Sequence, residues 1–103
     1  MNNIGLNEKE ISSIKAIFSK YENIEQVILY GSRAKGNFKP ASDIDLALLG
    51  SNISPTQINE IESEMDELLL PYKFDISVFN SIDNPDLKKQ ILQTGLLFYK
   101  KEK

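Results

Sequence analysis

Apolar residues recur in this chain first at helical and then at strand spacing, and the alternation predicts a series of helices and strands. Ile11, Ile14, Ile17, Phe18 and Tyr21 make one apolar helical face. Asn7 with Glu10 three residues on has the form of a capping pair and sets that helix's start. Gln26-Val27-Ile28-Leu29-Tyr30 is short, rich in β-formers and ended by Gly31, which predicts a strand. From Gly31 to Ser42 the turn formers Gly31, Gly36, Asn37, Pro40 and Ser42 predict a loop with one helical turn after Ser32. Asp43 to Leu49 reads as a second strand closed by Gly50.

Ser54-Pro55-Thr56-Gln57 then opens a helix, with Ser54 as N-cap, Pro55 at the first helical position and Gln57 completing a capping box. Its expected buried stripe is Ile58, Ile61, Met65, Leu68 and Leu69, and Pro71 stops it. Lys73 to Phe79 predicts a third strand. A last helix begins at Asn84-Pro85, carries Leu87, Ile91 and Leu92, and has Gly95 as its C-cap. Leu96 to Tyr99 predicts a final short strand before a solvated tail, Lys100 to Lys103. The alternation implies an α/β (α+β) domain with one sheet flanked by helices, and 103 residues suffice for a single domain over 1–103. Strand order is left open by this pattern.

Composition narrows the chemistry. The chain contains no cysteine and no histidine, which excludes disulfides, thiolate zinc sites and imidazole catalysis. Any metal site must be built from oxygen, which favours hard cations such as Mg²⁺ or Mn²⁺. The net charge of −3 and pI of about 4.9 count against a general nucleic-acid binder. The N-terminus shows no signal peptide, and runs such as Leu68-Leu69-Leu70 are too short to span a bilayer. A soluble cytoplasmic protein, without membrane contact, is the expectation.

Strand geometry supplies the first candidate cluster. Side chains alternate across a strand, so Asp43 and Asp45 share one face while Ile44, Leu46 and Leu48 share the other. Asp75 likewise lies opposite Phe74, Ile76 and Val78. If the two strands are neighbours and their apolar faces join one core, all three aspartates emerge on one side. Three clustered carboxylates repel one another, and a divalent cation is their natural partner here. Two such ions about 3.5–4 Å apart support in-line displacement at phosphorus.

The loop supplies the second. Gly31 follows a strand directly, where backbone amides can cradle phosphate, and Ser32 adds a hydroxyl. Arg33, the chain's only arginine, offers a fork of donors suited to phosphate, and Lys35 and Lys39 add positive charge. A metal–triphosphate complex fits between this basic loop and the acidic cluster. Gly31 to Gly36 has P-loop glycine spacing, but Asn37-Phe38 stands where Lys-Ser/Thr is needed, so Walker-type ATP hydrolysis is not supported.

Gly31-Ser32-Arg33-Ala34-Lys35-Gly36, then Ser42-Asp43-Ile44-Asp45-Leu46, then Phe74-Asp75-Ile76 resembles the minimal nucleotidyltransferases of the polymerase-beta-like superfamily over nearly the whole chain. The resemblance implies a single nucleotidyltransferase-fold domain with a mixed sheet. It implies that Asp43 and Asp45 bind two Mg²⁺ ions, and that Asp75 completes one metal site and helps deprotonate the acceptor. It further implies that Gly31 and Ser32 hold the β/γ phosphates of ATP, with Arg33 assisting.

Many such enzymes are antitoxins that attach AMP to a tyrosine of a HEPN-type RNase toxin, the partner expected here. With the domain filling the chain, the acceptor is expected on a partner's surface or on a second copy. The alternative is a non-catalytic antitoxin or regulator that neutralises its partner by complex formation. A weaker third reading is transfer to a small molecule or an RNA end.

Overall fold

The computed structural model describes residues 3–102, so Met1, Asn2 and Lys103, which bear on the leader and tail readings, lie outside it. In chain order come α1 (Glu8–Phe18), β1 (Ile24–Tyr30), the single turn α2 (Ser32–Lys35), β2 (Ile44–Gly50), α3 (Pro55–Glu67), β3 (Phe74–Val78), a 3₁₀ turn (Phe79–Ser81), α4 (Pro85–Thr94) and β4 (Leu96–Lys100).

The caps follow from local chemistry. Asn7 accepts from the Glu10 amide while the Glu10 carboxylate accepts from the Asn7 amide, a full capping box. Ser54 accepts from the Gln57 amide, but Gln57 does not complete the box expected of it. Its side-chain amide instead pairs in both directions with Asn23, at 2.8 and 2.7 Å, because the turn before β1 brings that amide alongside.

The four strands form one sheet in the order β3-β2-β1-β4, with β2 and β3 parallel and the other pairs antiparallel. The sheet is therefore mixed. Val27, Leu29, Ile44, Leu46 and Leu48 point to one face and join Ile14, Ile17 and Phe18 of α1 and Ile61 and Met65 of α3 in the main core. The opposite face carries a smaller cluster, Tyr30, Ala47, Phe79 and Ile91, over which α4 packs. The larger core holds the sheet, while α4 covers only part of the second face.

Two leucines depart from expectation. Leu69 is not in the α3 stripe: the helix ends at Glu67, and Leu69 turns left-handed (φ 54°) and 88% exposed as the chain swings toward Pro71. Leu92 is also exposed, because α4 buries only Ile91 fully. Gly95 caps α4 with extended rather than left-handed backbone. A Cβ there would meet Ile91 O at 2.3 Å and Ile28 Cγ2 at 2.5 Å, so close packing is what requires glycine. Lys100, expected in the tail, is the last residue of β4. No helix among the described residues is long and apolar enough to cross a membrane.

Candidate active site

Asp45 stands at the centre of the site because the sheet registers it between two other elements. On one side it is the Cα partner of Tyr30, the last residue before Gly31. On the other it is the parallel partner of Asp75. Adjacent strands lie about 4.8 Å apart, and paired residues project to the same face. Asp45, Asp75 and Ser77 thus share the α4 face of the sheet, beyond the part that α4 covers.

Asp43 lies just before β2, exposed, and Ile44 between the two aspartates is buried in the main core. Asp45 is half-buried and Asp75 exposed. Burial, then the charges of Asp75 and Asp43, push the Asp45 pKa above the usual carboxylate value.

The glycine turn closes against this strand. Gly31 has φ 79° and ψ −155°, backbone that L residues avoid. A Cβ on it would lie 2.3 Å from Asp45 Oδ2, so the carboxylate rests directly on the bare glycine. Ser32 starts α2, and in any helical turn the first amides lack intrahelical acceptors and are free for an anion. Ser32 itself is half-buried. Tyr30 packs beneath. Its phenol pKa is raised by burial and by Asp75 and Asp45, against an opposing Ser77 hydrogen bond, so it stays protonated.

Arg33 is turned into the protein. It is only 1% exposed. Its Nε and Nη2 both donate to Ser42 O, at 3.1 and 2.9 Å, Nη2 also to Pro40 O at 3.2 Å, and Nη1 to Ile4 O at 2.9 Å. Its guanidinium carbon lies 5.1 Å from the Phe38 ring centroid and 5.0 Å from that of Tyr72. Three main-chain carbonyls take these donors. Ser42 is fixed further by a tight turn in which its amide donates to Lys39 O and its hydroxyl accepts from Lys39 N. Phe38, Tyr72, Ile4 and the Ser42 carbonyl were missed in the sequence. The available signal was that a lone arginine near an aromatic residue can be a buried one.

The donor set suits a hard divalent cation: every candidate atom is a carboxylate oxygen, and among the described residues none of the three aspartates is paired with a lysine or arginine. Among those residues no three acidic side chains form a ready-made metal cage. A metal here must therefore complete its shell with other oxygens, as Mg²⁺ does with substrate phosphates.

Comparison with known proteins identifies the family and the fold. The family model for "Polymerase beta, Nucleotidyltransferase" matches residues 12–103. "Putative protein adenylyltransferase MJ1217" of Methanocaldococcus jannaschii is 34% identical over 91 residues, spanning 81% of this chain and 92% of that protein. Among solved structures, a toxin–antitoxin with AMP-PNP superposes with TM-score 0.72 at 21% identity, covering 94% of this chain and 76% of the other. A second, the tri-AMPylated Shewanella oneidensis HEPN toxin in complex with MNT antitoxin, gives 0.69 at 16% identity, covering 92% and 73%. A glycine turn seated on the second aspartate of an Asp-x-Asp strand, with a third aspartate on the parallel neighbour, thus occurs in a chain that belongs to the polymerase beta nucleotidyltransferase family.

Proposed function

We propose that this chain transfers AMP from ATP, with Mg²⁺, to a hydroxyl of a partner protein, a tyrosine of a HEPN-type RNase toxin, and so acts as a cytoplasmic antitoxin. The observation that carries the reading is Asp45, seated on Gly31 and paired across the sheet with Asp75. The adenylyltransferase name of the 34% identical relative and the AMPylated toxin bound by one structural neighbour support the protein acceptor.

In this reading the Gly31–Ser32 turn holds the β and γ phosphates through backbone amides and the Ser32 hydroxyl. Asp43, Asp45 and Asp75 hold the magnesium, two ions in the full form, with Mn²⁺ able to substitute. Bound there, the metal neutralises phosphate charge and aligns an in-line displacement. The acceptor hydroxyl oxygen attacks the α-phosphorus, and the bond from that phosphorus to its bridging oxygen breaks. Pyrophosphate leaves, and the hydroxyl proton passes to Asp75, which is exposed and can release it to water. The product is a phosphodiester between AMP and the acceptor. Tyr30, its phenol kept protonated by burial and by the nearby aspartates, adds no further negative charge beside these carboxylates.

The test mixes the purified chain with Mg²⁺, α-labelled ATP and a HEPN-type partner, beside a γ-labelled control and an Asp43→Ala/Asp45→Ala variant. Label on the partner from the α position alone, dependent on both aspartates, is the expected result. No label, with a stable complex of the two proteins, would shift the function to neutralisation by binding.

A further inference from the structure

We propose that Arg33 is a positioning residue, a clasp that sets the Asp43–Asp45 segment against the Gly31–Ser32 turn, and not a ligand of the triphosphate. The inference rests on the transfer reading above for its kinetic part only. Its geometric part stands on the fold.

Arg33 follows Ser32 in α2, and the Ser42 carbonyl it grips belongs to the peptide plane that leads into Asp43. Nε and Nη2 converge on that one oxygen, which fixes its position against the guanidinium edge. The same guanidinium ties in Pro40 within the loop and Ile4 in the N-terminal segment. Two stretches of chain that no ladder joins, the N-terminal segment and the loop before Asp43, are thus referred to one rigid planar group.

The clasp is closed on all sides. The Phe38 and Tyr72 rings lie against it. Gly5, at φ 83°, lets the N-terminal segment pass so closely that a Cβ would stand 2.4 Å from Nη1. Among the described residues no buried side-chain polar atom is left without a partner, so the buried charge is held by carbonyl dipoles and ring faces. A lysine could reach one of these oxygens but could not span three of them from a single plane. Sequence order shows why the site needs this. The loop from Gly36 to Ser42 lies in neither helix nor strand, yet it separates the phosphate turn from the first aspartate.

The test compares wild type with Arg33→Lys and with Gly5→Ala, which pushes on the guanidinium from the side away from Ser42. Two readouts are taken well below each variant's melting temperature. Amide hydrogen exchange should rise on the order of tenfold or more in residues 37–45 in both variants, with the β1 and α3 amides unchanged. Transfer should show kcat lowered about 10²-fold in Arg33→Lys, with KM for ATP held near wild type, as expected for lost alignment. Gly5→Ala keeps the arginine, so it separates displacement of the clasp from loss of charge.

Unchanged exchange over 37–45 in both variants would overturn the proposal. A raised KM for ATP with kcat intact would also overturn it, since Arg33 would then be a phosphate ligand. If wild type itself transfers nothing, the transfer reading fails, and hydrogen exchange alone still decides the clasp.

Discussion

Asp45 Oδ2 lies where the Cβ of any residue but glycine at position 31 would be, 2.3 Å from that point. The relationship couples a backbone conformation to a carboxylate position. Gly31→Ala should therefore act twice: it strains a φ of 79° and it drives Asp45 off the turn. The strain and displacement should cost about 1–3 kcal/mol of stability, and nucleotidyl transfer should fall by about 10²-fold through misalignment. Thermal melting and the α-labelled assay check both. Wild-type transfer by Gly31→Ala would show that the turn does not shape the site.

Asp45 is held above its usual pKa first by burial and then by Asp75 and Asp43, so its charge opposes folding. The sign follows from linkage. The unfolded aspartate loses its proton near pH 3.9, about its free value, while the folded one holds on to higher pH. Stability is therefore lost as pH rises between the two values, and the full penalty stands above the folded pKa. Asp45→Asn should melt higher than wild type at pH 7, by about 4–8 °C for each kcal/mol relieved in a domain of this size. The gap should shrink as pH falls and close below about 3.9. Transfer should be lost in the same variant, a stability gain bought with function. Equal melting temperatures at pH 7 would show that the carboxylates do not oppose folding.

What the sequence revealed and what it hid divide along a physical line. Helix starts at Asn7, Ser54 and Asn84 are readable because capping uses local side chains, and all three side chains accept from first-turn amides, although the box expected of Gln57 does not form. The shared face of Asp45 and Asp75 was readable only on the condition that β2 and β3 are neighbours, which strand pairing supplies. Arg33 was readable as singular but not as buried, because its acceptors are main-chain carbonyls of residues 4, 40 and 42, and carbonyls carry no sequence signal. Leu69 was misplaced for a related reason. Helical spacing continues past Glu67, but Pro71 disfavours helical backbone at Leu70, and the chain leaves the helix through a left-handed Leu69 that spacing does not encode.

Metal affinity should depend on nucleotide. No three acidic side chains among the described residues converge into a cage, and Mg²⁺ sites of this kind borrow phosphate oxygens. Mn²⁺ titrated into the protein alone, followed by electron paramagnetic resonance, should bind weakly. Addition of a non-hydrolysable ATP analogue should tighten it by about tenfold or more, and Asp43→Ala should remove the gain. Tight binding of Mn²⁺ without nucleotide would contradict an open, substrate-completed site. Chelation by EDTA should stop transfer without lowering the melting temperature, because the folded chain does not rely on the ion for its core.

The Asn23–Gln57 amide pair offers a test of the scaffold that leaves the site alone. The two side chains exchange hydrogen bonds, and Asn23 also donates to Ser51 O at 2.9 Å. They join the start of β1 to the start of α3, at the end of the sheet opposite Gly31, since β1 runs from Ile24 to Tyr30 and β2 returns from Ile44 to Gly50. Each half-buried amide bond contributes about 0.5–1.5 kcal/mol, so Gln57→Ala, which loses both bonds of the pair, should destabilise by about 1–3 kcal/mol, and Asn23→Ala, which also loses the bond to Ser51 O, by more. Because each removal breaks the same two bonds and orphans the other amide, the double variant should lose less than the sum of the singles. Ser54→Ala removes a separate cap worth about 1 kcal/mol, so with Asn23→Ala, which leaves the Ser54 hydroxyl on the Gln57 amide, it should be close to additive. Denaturant melts of the four-member cycle measure the coupling, and kcat at a temperature where all four are folded should not move. Additive losses for Asn23 and Gln57 would mean that the amide pair is not a unit, and a fall in kcat would mean that strain at this end of the sheet reaches Asp45.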